Sequence, residues 1–498
     1  MKGNRNTHRQ QHMETGTSNR GNGIFRTLVP ARIDRLPWTR FQTLILVALG
    51  ISWFLQGLET QLFSQGSVVL QNQSTLGLST EQVGLLSSFF LVGEVGGALI
   101  FARLTDTLGR RKLFFITLAV YMLGNVISVF AHSFEFLLFF RIIVGMGVGG
   151  EQVAIVSAID EMIPARHRAR ANIAIGATSW LGTMAAAGLG FLLYNPDLIS
   201  INVGWRLALL IGPVLSIVVM LLRRDIPESP RWLMTHGRGA EAEQAVAKME
   251  DRVRRRGVEL SAVSEDKAIV LRENPDKVRY GKILRVLFVD YRKRSLAAFA
   301  MLATQGFLYN GIFFTFALVL AHFYNVAPAA LSYYIFIFGA GNALGAVLGP
   351  LFDTVGRRKM ALFSYVGSGL ILALTGVLFY ADVLSAVTIT ILWWAAFFIA
   401  SAGAGSAYVI ASEVFPIEMR SGALSVFYSI SQGVGAIAPA IFAALIGDGS
   451  ERLPMMYGYL FAALMVIIGG VVMWFFGVDS ERKSLEDIAE PLSAGEES

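Results

Sequence analysis

Apolar residues run along this chain in long blocks, not in the short alternations of a soluble fold. Between charged or Pro/Gly breaks, the pattern predicts helical spans at about 41–63, 82–104, 113–131, 135–157, 171–193, 205–222, 295–320, 331–351, 361–380, 384–411, 421–445 and 455–477. A helix needs roughly 20 apolar residues to cross a bilayer core, and these windows have that length. Six fall on each side of one polar segment, residues 223–294, which holds 18 Arg/Lys and 12 Asp/Glu. The chain therefore reads as an all-α polytopic membrane protein, with twelve transmembrane helices in two six-helix bundles. Its expected parts are a basic N-terminal tail (1–40), an N-terminal bundle (41–222), a helical linker (223–294), a C-terminal bundle (295–477) and a C-terminal tail (478–498).

Composition sharpens this picture. Only 16% of residues are charged, where soluble domains carry about 25%. With no cysteine, a disulfide framework and a thiolate metal site are excluded. The six histidines are dispersed, so no metal site is expected. The first 40 residues hold eight Arg/Lys against two acids and lack the apolar core of a signal peptide. That tail is expected to rest against anionic lipid, a solvated tail being the other reading. Alternate loops sort by charge: one set carries Arg110, Arg111, Arg168, the long segment, Arg357, Arg358 and Arg420, and the other is mostly acidic. The positive-inside rule then places both termini in the cytoplasm, and the expected location is the cell (inner) membrane.

Two motifs occur twice. RLTDTLGRRK (Arg103–Lys112) returns as LFDTVGRRK (Leu351–Lys359), with Asp106 and Asp353 separated by 247 residues. EMIPARHR (Glu161–Arg168) returns as EVFPIEMR (Glu413–Arg420) at an offset of 252. Both copies follow an even number of spans, so the two halves repeat in parallel. Charges of both signs then sit at one depth in both halves. Asp106, Arg110, Arg111, Glu161 and Arg168 are expected to pair across the seam with Asp353, Arg357, Arg358, Glu413 and Arg420, holding the inner face shut as a cytoplasmic gate. The plainer reading is that these charges only set topology.

An ionisable group inside a bilayer costs several kcal/mol, about 2.5–3.5 on insertion scales, so the few present are candidates for function. They are Glu59, Glu94, Arg141, Glu151 and Asp160. Glu59 and Arg141 both fall within about 10 Å of the outer face at roughly 1.5 Å per residue. They can meet, and a carboxylate beside a guanidinium can exchange an ion pair for a proton. A permanent packing pair is the alternative. Glu94, among glycines in LVGEVGGALIF, is a second protonation candidate or a contact for a cationic or hydroxylated solute. Glu151 lies about 15 Å along the helix from Arg141 and is expected to face the cavity. Gln305, Asn310 and Tyr408 can orient hydroxyl or carboxylate groups of a solute, and Trp180 can stack on it. No phosphate-binding loop and no nucleophile–base pair is visible, which argues against ATP-driven transport and against an enzyme. The basic run in the linker reads as a solvated helix near headgroups, not as a nucleic-acid site.

These motifs resemble the major facilitator superfamily, in its sugar-porter and metabolite:proton symporter branches, over about residues 41 to 477. RLTDTLGRRK and LFDTVGRRK are similar to the loop 2–3 and 8–9 signatures, and RIIVGMGVG (Arg141–Gly149) to that of helix 4. PESPRWL (Pro227–Leu233) and SEVFPIEMR resemble the signatures after helix 6 and at helix 10–11. In TQGFLYNGIFFT the family's helix 7 pattern keeps Gln305 and Asn310 but has Thr304 and Phe314–Thr315 in place of glutamine and paired tyrosines. Tyr408 replaces a helix 10 tryptophan. GGEQVAIVSAIDEMIP looks more like the metabolite:proton symporters. The resemblance implies alternating access and import of a small polar metabolite, sugar or organic acid, by proton symport. It also implies a proton carried at the Glu59 position and no cofactor beyond the proton gradient. The expected partners are the solute and the lipid bilayer, and the expected state is a monomer. Proton-coupled efflux, uncoupled uniport and a solute receptor remain as alternatives.

Overall fold

A computed structural model of the chain describes residues 24–224, 227–255, 257–272, 280–349, 351–415 and 420–478. The side chains of Asp106, Asp160, Arg168, Asp353, Tyr408, Glu413 and Arg420 lie outside the described residues, as do both outer tails, so the expectations placed on them end there.

Strand β1 (Ile24–Thr27) and helix α1 (Val29–Asp34) precede the first bundle, which is α2 (Arg40–Leu70), α3 (Thr80–Leu108), α4 (Arg110–Ser128), α5 (Phe134–Met162), α6 (Ala165–Leu193) and α7 (Ile201–Arg223). The linker holds α8 (Pro230–Thr235), α9 (Gly239–Arg254), strand β2 (Ile269–Arg272) and α10 (Tyr280–Arg285). The second bundle is α11 (Arg292–Tyr324), α12 (Leu331–Gly345), α13 (Leu351–Thr354), α14 (Arg357–Tyr380), α15 (Ala386–Glu413), α16 (Arg420–Ile446) and α17 (Leu453–Phe476). Among the described residues, eleven helices are long and apolar enough to cross a membrane. The span missing from these eleven is the eighth of the sequence pattern, α12, and there the expectation of one helix over 331–351 is corrected. The α-helix stops at Gly345, a 3-10 turn covers Ala346–Leu348, and the chain restarts as α13. The break falls just ahead of Gly349–Pro350, where proline's missing N–H and its clash with the preceding residue disfavour a continued helix.

Local chemistry sets the helix starts. Ser79 closes a capping box with Gln82 at the head of α3, and Ser385 does the same with Thr388 at α15. The repeated charged motif makes the same turn in both halves, through Gly109 (φ 87°) and Gly356 (φ 113°). Only glycine adopts such a conformation without strain. At the N-terminus of α4, Glu228 accepts hydrogen bonds from the backbone N–H of Arg110 (2.8 Å) and of Arg111 (3.2 Å). A carboxylate there satisfies orphan donors and complements the helix dipole.

We distinguish a linker face, where α8 and α9 lie, from the face opposite. The two bundles are tied near the opposite face. Ser64 donates to the Phe313 and Phe314 carbonyls (3.2 Å each), and Gln65 to Pro328 O (2.8 Å) and Ser332 Oγ (2.9 Å). The Ala440 N–H donates to Ser88 Oγ at 3.0 Å.

At the linker face the expected pairing across the seam with Asp353, Glu413 and Arg420 lies outside the described side chains, and two contacts of the other gate residues are described. Arg110 pairs with Glu161 at 2.6 Å, inside the N-terminal bundle, and Arg358 Nε donates to Trp474 O at 3.0 Å, inside the C-terminal one. These two contacts each stay within one bundle. Glu161 lies in the last turn of α5, which packs on α3 and α4, so the first residue of α4 is its near neighbour.

The described part of the basic tail departs from the expectation, and residues 1–23 lie outside the described residues. Residues 24–35 do not form a free lipid-facing segment but fold onto the linker. β1 pairs antiparallel with β2, Ile24 opposite Arg272. Val29 and Ile33 of α1 share a core with Trp232, Leu233, Met234, Ala242 and Val246. Arg32 and Arg35 both pair with the buried Glu250, at 2.9 and 2.5 Å. Their charge is consumed inside this small unit.

Candidate substrate and coupling site

Helices α2, α4 and α5 bring Glu59 and Arg141 together, as their matched depth allows. Glu59 Oε1 accepts from Asn125 Nδ2 at 3.0 Å and from Arg141 Nη1 at 3.4 Å. Arg141 is fully buried, with its guanidinium carbon 3.8 Å from the Phe63 ring centre and 4.4 Å from that of Phe90. Glu59 Oε2 and Arg141 Nε and Nη2 have no hydrogen-bond partner. This is a loose ion pair in an aromatic box, not a bidentate lock: one contact at the outer limit of hydrogen-bond length holds it. Asn125 gives no sign of its role in the sequence, where it is one polar residue in YMLGNVIS.

Glu151 was expected to face the substrate cavity. The structure instead pairs it with Arg223, whose Nη1 donates to Glu151 Oε1 at 2.8 Å. Arg223 also donates to Ser52 Oγ (2.7 Å) and Ala48 O (3.2 Å), and its guanidinium packs over Phe114. Glu151 does line a pocket, but one inside the N-terminal bundle, with Ser52, Trp53, Tyr121, Gln152 and Ser216. In the sequence Arg223 reads as the first residue of the linker. It is in fact the last residue of α7, drawn inward by the carboxylate one helix away.

Glu94 sits on the seam. Gln152 Nε2 donates to its Oε1 at 2.9 Å, and from the other bundle so do Tyr428 Oη (2.9 Å) and Gln432 Nε2 (3.4 Å). The backbones of α3 and α5 are close enough here that a side-chain carbon on Gly149 would fall 1.9 Å from the Glu94 carbonyl oxygen. Tyr428 and Gln432, absent from the sequence-based set, lie four residues apart in SVFYSISQG, which puts them on one helix face.

The remaining candidates gather around α11. Asn310 Nδ2 donates to Gln432 Oε1 at 3.4 Å, which joins it to the Glu94 group. Gln305 accepts from Tyr365 Oη at 3.1 Å, a bond within the C-terminal bundle. Trp180, on α6, meets Tyr309 and Phe313 across the seam, with ring centres 6.2 and 5.9 Å apart.

A family model described as "Sugar (and other) transporter" matches residues 51–492. The chain belongs to that family. This transporter is 26% identical over 463 residues to the niacin transporter NiaP of Acinetobacter baylyi, a match covering 92% of this chain and 99% of that protein. It is 25% identical over 477 residues to the arabinose-proton symporter of Bacillus subtilis, covering 90% and 94%. Its fold is similar to a crystal structure of the D-xylose-proton symporter, with a TM-score of 0.68 and 18% identity over 89% of this chain and all of that one. A partially occluded, inward-open xylose transporter from E. coli gives a TM-score of 0.69, with 18% identity and 90% of this chain covered. The transporter is thus an integral membrane protein of the major facilitator fold and not an enzyme.

Proposed function

We propose that the transporter imports a small polar metabolite together with a proton, by alternating access, across the inner membrane of the cell with both termini in the cytoplasm. The observation that carries this reading is the Glu59–Arg141 pair, held by one contact of 3.4 Å in an apolar box. A proton on Glu59 removes the charge that holds Arg141. Its loss restores the pair, so the strength of one contact follows the proton. Solute binding at the seam biases the same rocking motion. The proton gradient drives the cycle with no bound cofactor. Two relatives whose names include proton symport of pentoses support the coupling, and the niacin transporter widens the solute class to sugars and organic acids alike.

The test is solute-induced proton movement in sealed vesicles, wild type against Glu59→Gln, over a panel of sugars, organic acids and nicotinate. Symport predicts co-directional proton flux with one solute in the wild type, and a variant that keeps solute exchange but loses that flux. Counter-directional flux gives proton-coupled efflux instead. Equal transport by both proteins with no proton movement makes the protein a uniporter and Glu59 a packing residue.

A further inference from the structure

We propose that Glu94, with Gln152, Tyr428 and Gln432, forms a recognition site for a solute that carries a cationic nitrogen beside a flat or apolar body. The inference goes beyond the sugars and organic acids of the transport reading by adding a cationic solute class, and it rests on that reading only for the solute's passage, not for its binding.

The first argument is charge balance inside the membrane. Arg141 is committed to Glu59 and enclosed by Phe63 and Phe90, and Arg223 spends its donors on Glu151, Ser52 and Ala48. Those two carboxylates are matched. Glu94 is 2% exposed, yet its described partners are two amides and a phenol, all neutral. A carboxylate in a bilayer core is costly and marks a place where an opposite charge is received.

The second argument is geometry. All three donors converge on Oε1. Oε2 receives none of them, so one oxygen is anchored and the other keeps its lone pairs for a ligand. The third is the surroundings. Gln432 links Glu94 to Asn310, and the residue before Asn310, Tyr309, packs against Trp180. The ring of Tyr309 thus belongs to the same stretch of α11 as Asn310, with Trp180 of α6 against it, and rings of this kind suit a flat cation. An anion finds nothing comparable at this site among the described residues.

Equilibrium binding to the purified full chain in lipid nanodiscs tests this, with three probes that share one pyridine ring: 1-methylnicotinamide (a fixed cation), nicotinamide (neutral) and nicotinate (an anion). The wild type should bind the cation about tenfold or more tighter than the anion, the size of a hydrogen bond to a charged group. Glu94→Gln should remove that preference while leaving nicotinamide within about threefold, since a neutral ring loses only a neutral contact. Should Glu94→Gln not fold, Glu94→Asp, which keeps the charge, must keep the order cation before anion. Nicotinate binding as tightly as the cation, an equal loss for all three probes in Glu94→Gln, or no binding of any probe overturns the proposal. Failure of the transport reading looks different: the cation binds with Glu94 dependence, but vesicles move neither solute nor proton.

Discussion

Where the N-terminal bundle buries Arg141, the C-terminal bundle buries Trp393: the offset of 252 residues that carries Glu161 onto Glu413 carries one onto the other. Trp393 is fully enclosed, 4.9 Å from the Phe316 ring and 6.1 Å from that of Tyr459. The same offset carries Glu151 onto Gly403, where a side-chain carbon would lie 2.8 Å from the Tyr365 ring. The offset of 247 carries Glu94 onto Gly341, where it would lie 2.4 Å from Trp394. One half of the repeat thus fills with rings what the other fills with charge. The backbone plan does not require the ion pairs, and well-packed apolar groups in place of a buried pair are commonly neutral or stabilising. The charges of the first bundle are better explained by what they do than by what they hold together.

The largest predicted effect tests that claim directly. Arg223→Ala leaves Glu151 buried without its partner and should destabilise the protein by about 3–5 kcal/mol. Replacing both residues, Arg223→Met with Glu151→Leu, should recover most of the loss, as the ring-filled bundle implies. Unfolding of the two single variants and the double variant gives the coupling. A double variant no more stable than Arg223→Ala would mean that the first bundle does depend on this pair for its fold.

Next in size are the matched turns. Gly109→Ala and Gly356→Ala each force a side chain into a backbone region open almost only to glycine, at about 1–3 kcal/mol. At Gly109 the added carbon also lies 2.4 Å from the Glu228 carboxylate, so the N-terminal change should cost more. Equal losses in unfolding experiments would show that Glu228 yields freely, and that the linker does not brace the first bundle. Tyr428→Phe follows, removing one bond to Glu94 across the seam, about 1.5–3 kcal/mol for a charged acceptor. Because that bond joins the two bundles, its loss should shift the spacing between labels on α3 and α16 measured by spin-echo distances. An unchanged distribution would confine Tyr428 to a local role.

Much of this was legible in the sequence, and the rest was hidden for physical reasons. Apolar block length gives the spans, and the two repeated motifs give the halves, because a bilayer and a turn each constrain many residues at once. The meeting of Glu59 with Arg141 follows from depth alone. What a linear reading misses is direction around a helix. It assigned Glu151 to the substrate cavity and set Arg223 outside the bundle, and it did not pair Arg110 with Glu161. Tyr428 and Gln432 look like ordinary polar residues of a glycine-rich span until α16 lies against Glu94. Residues 24–35 are basic, and their acidic partner Glu250 is more than 200 positions away.

That clasp gives the smallest prediction, and it too separates the halves. The entry to α2 is fixed by an N-terminal segment folded onto the linker. The entry to α11 is fixed locally, by Ser295 Oγ donating to Leu287 O at 2.6 Å. Burial pushes the Glu250 carboxyl up, but the hydrogen bonds and charges of Arg32 and Arg35 outweigh it and hold the group below the ordinary glutamate value. The clasp therefore contributes fully above that ordinary value and weakens as pH falls through the lowered one. Arg32→Ala should cost only about 1 kcal/mol, because Arg35 still pairs with the buried Glu250. Hydrogen exchange at Ile24–Thr27 reads the loss locally, and the same amides in the wild type should lose protection on acidification while those of α11 near Ser295 do not. If both regions open together, the N-terminal segment is no separate clasp and the linker unfolds as one unit with the second bundle's entry.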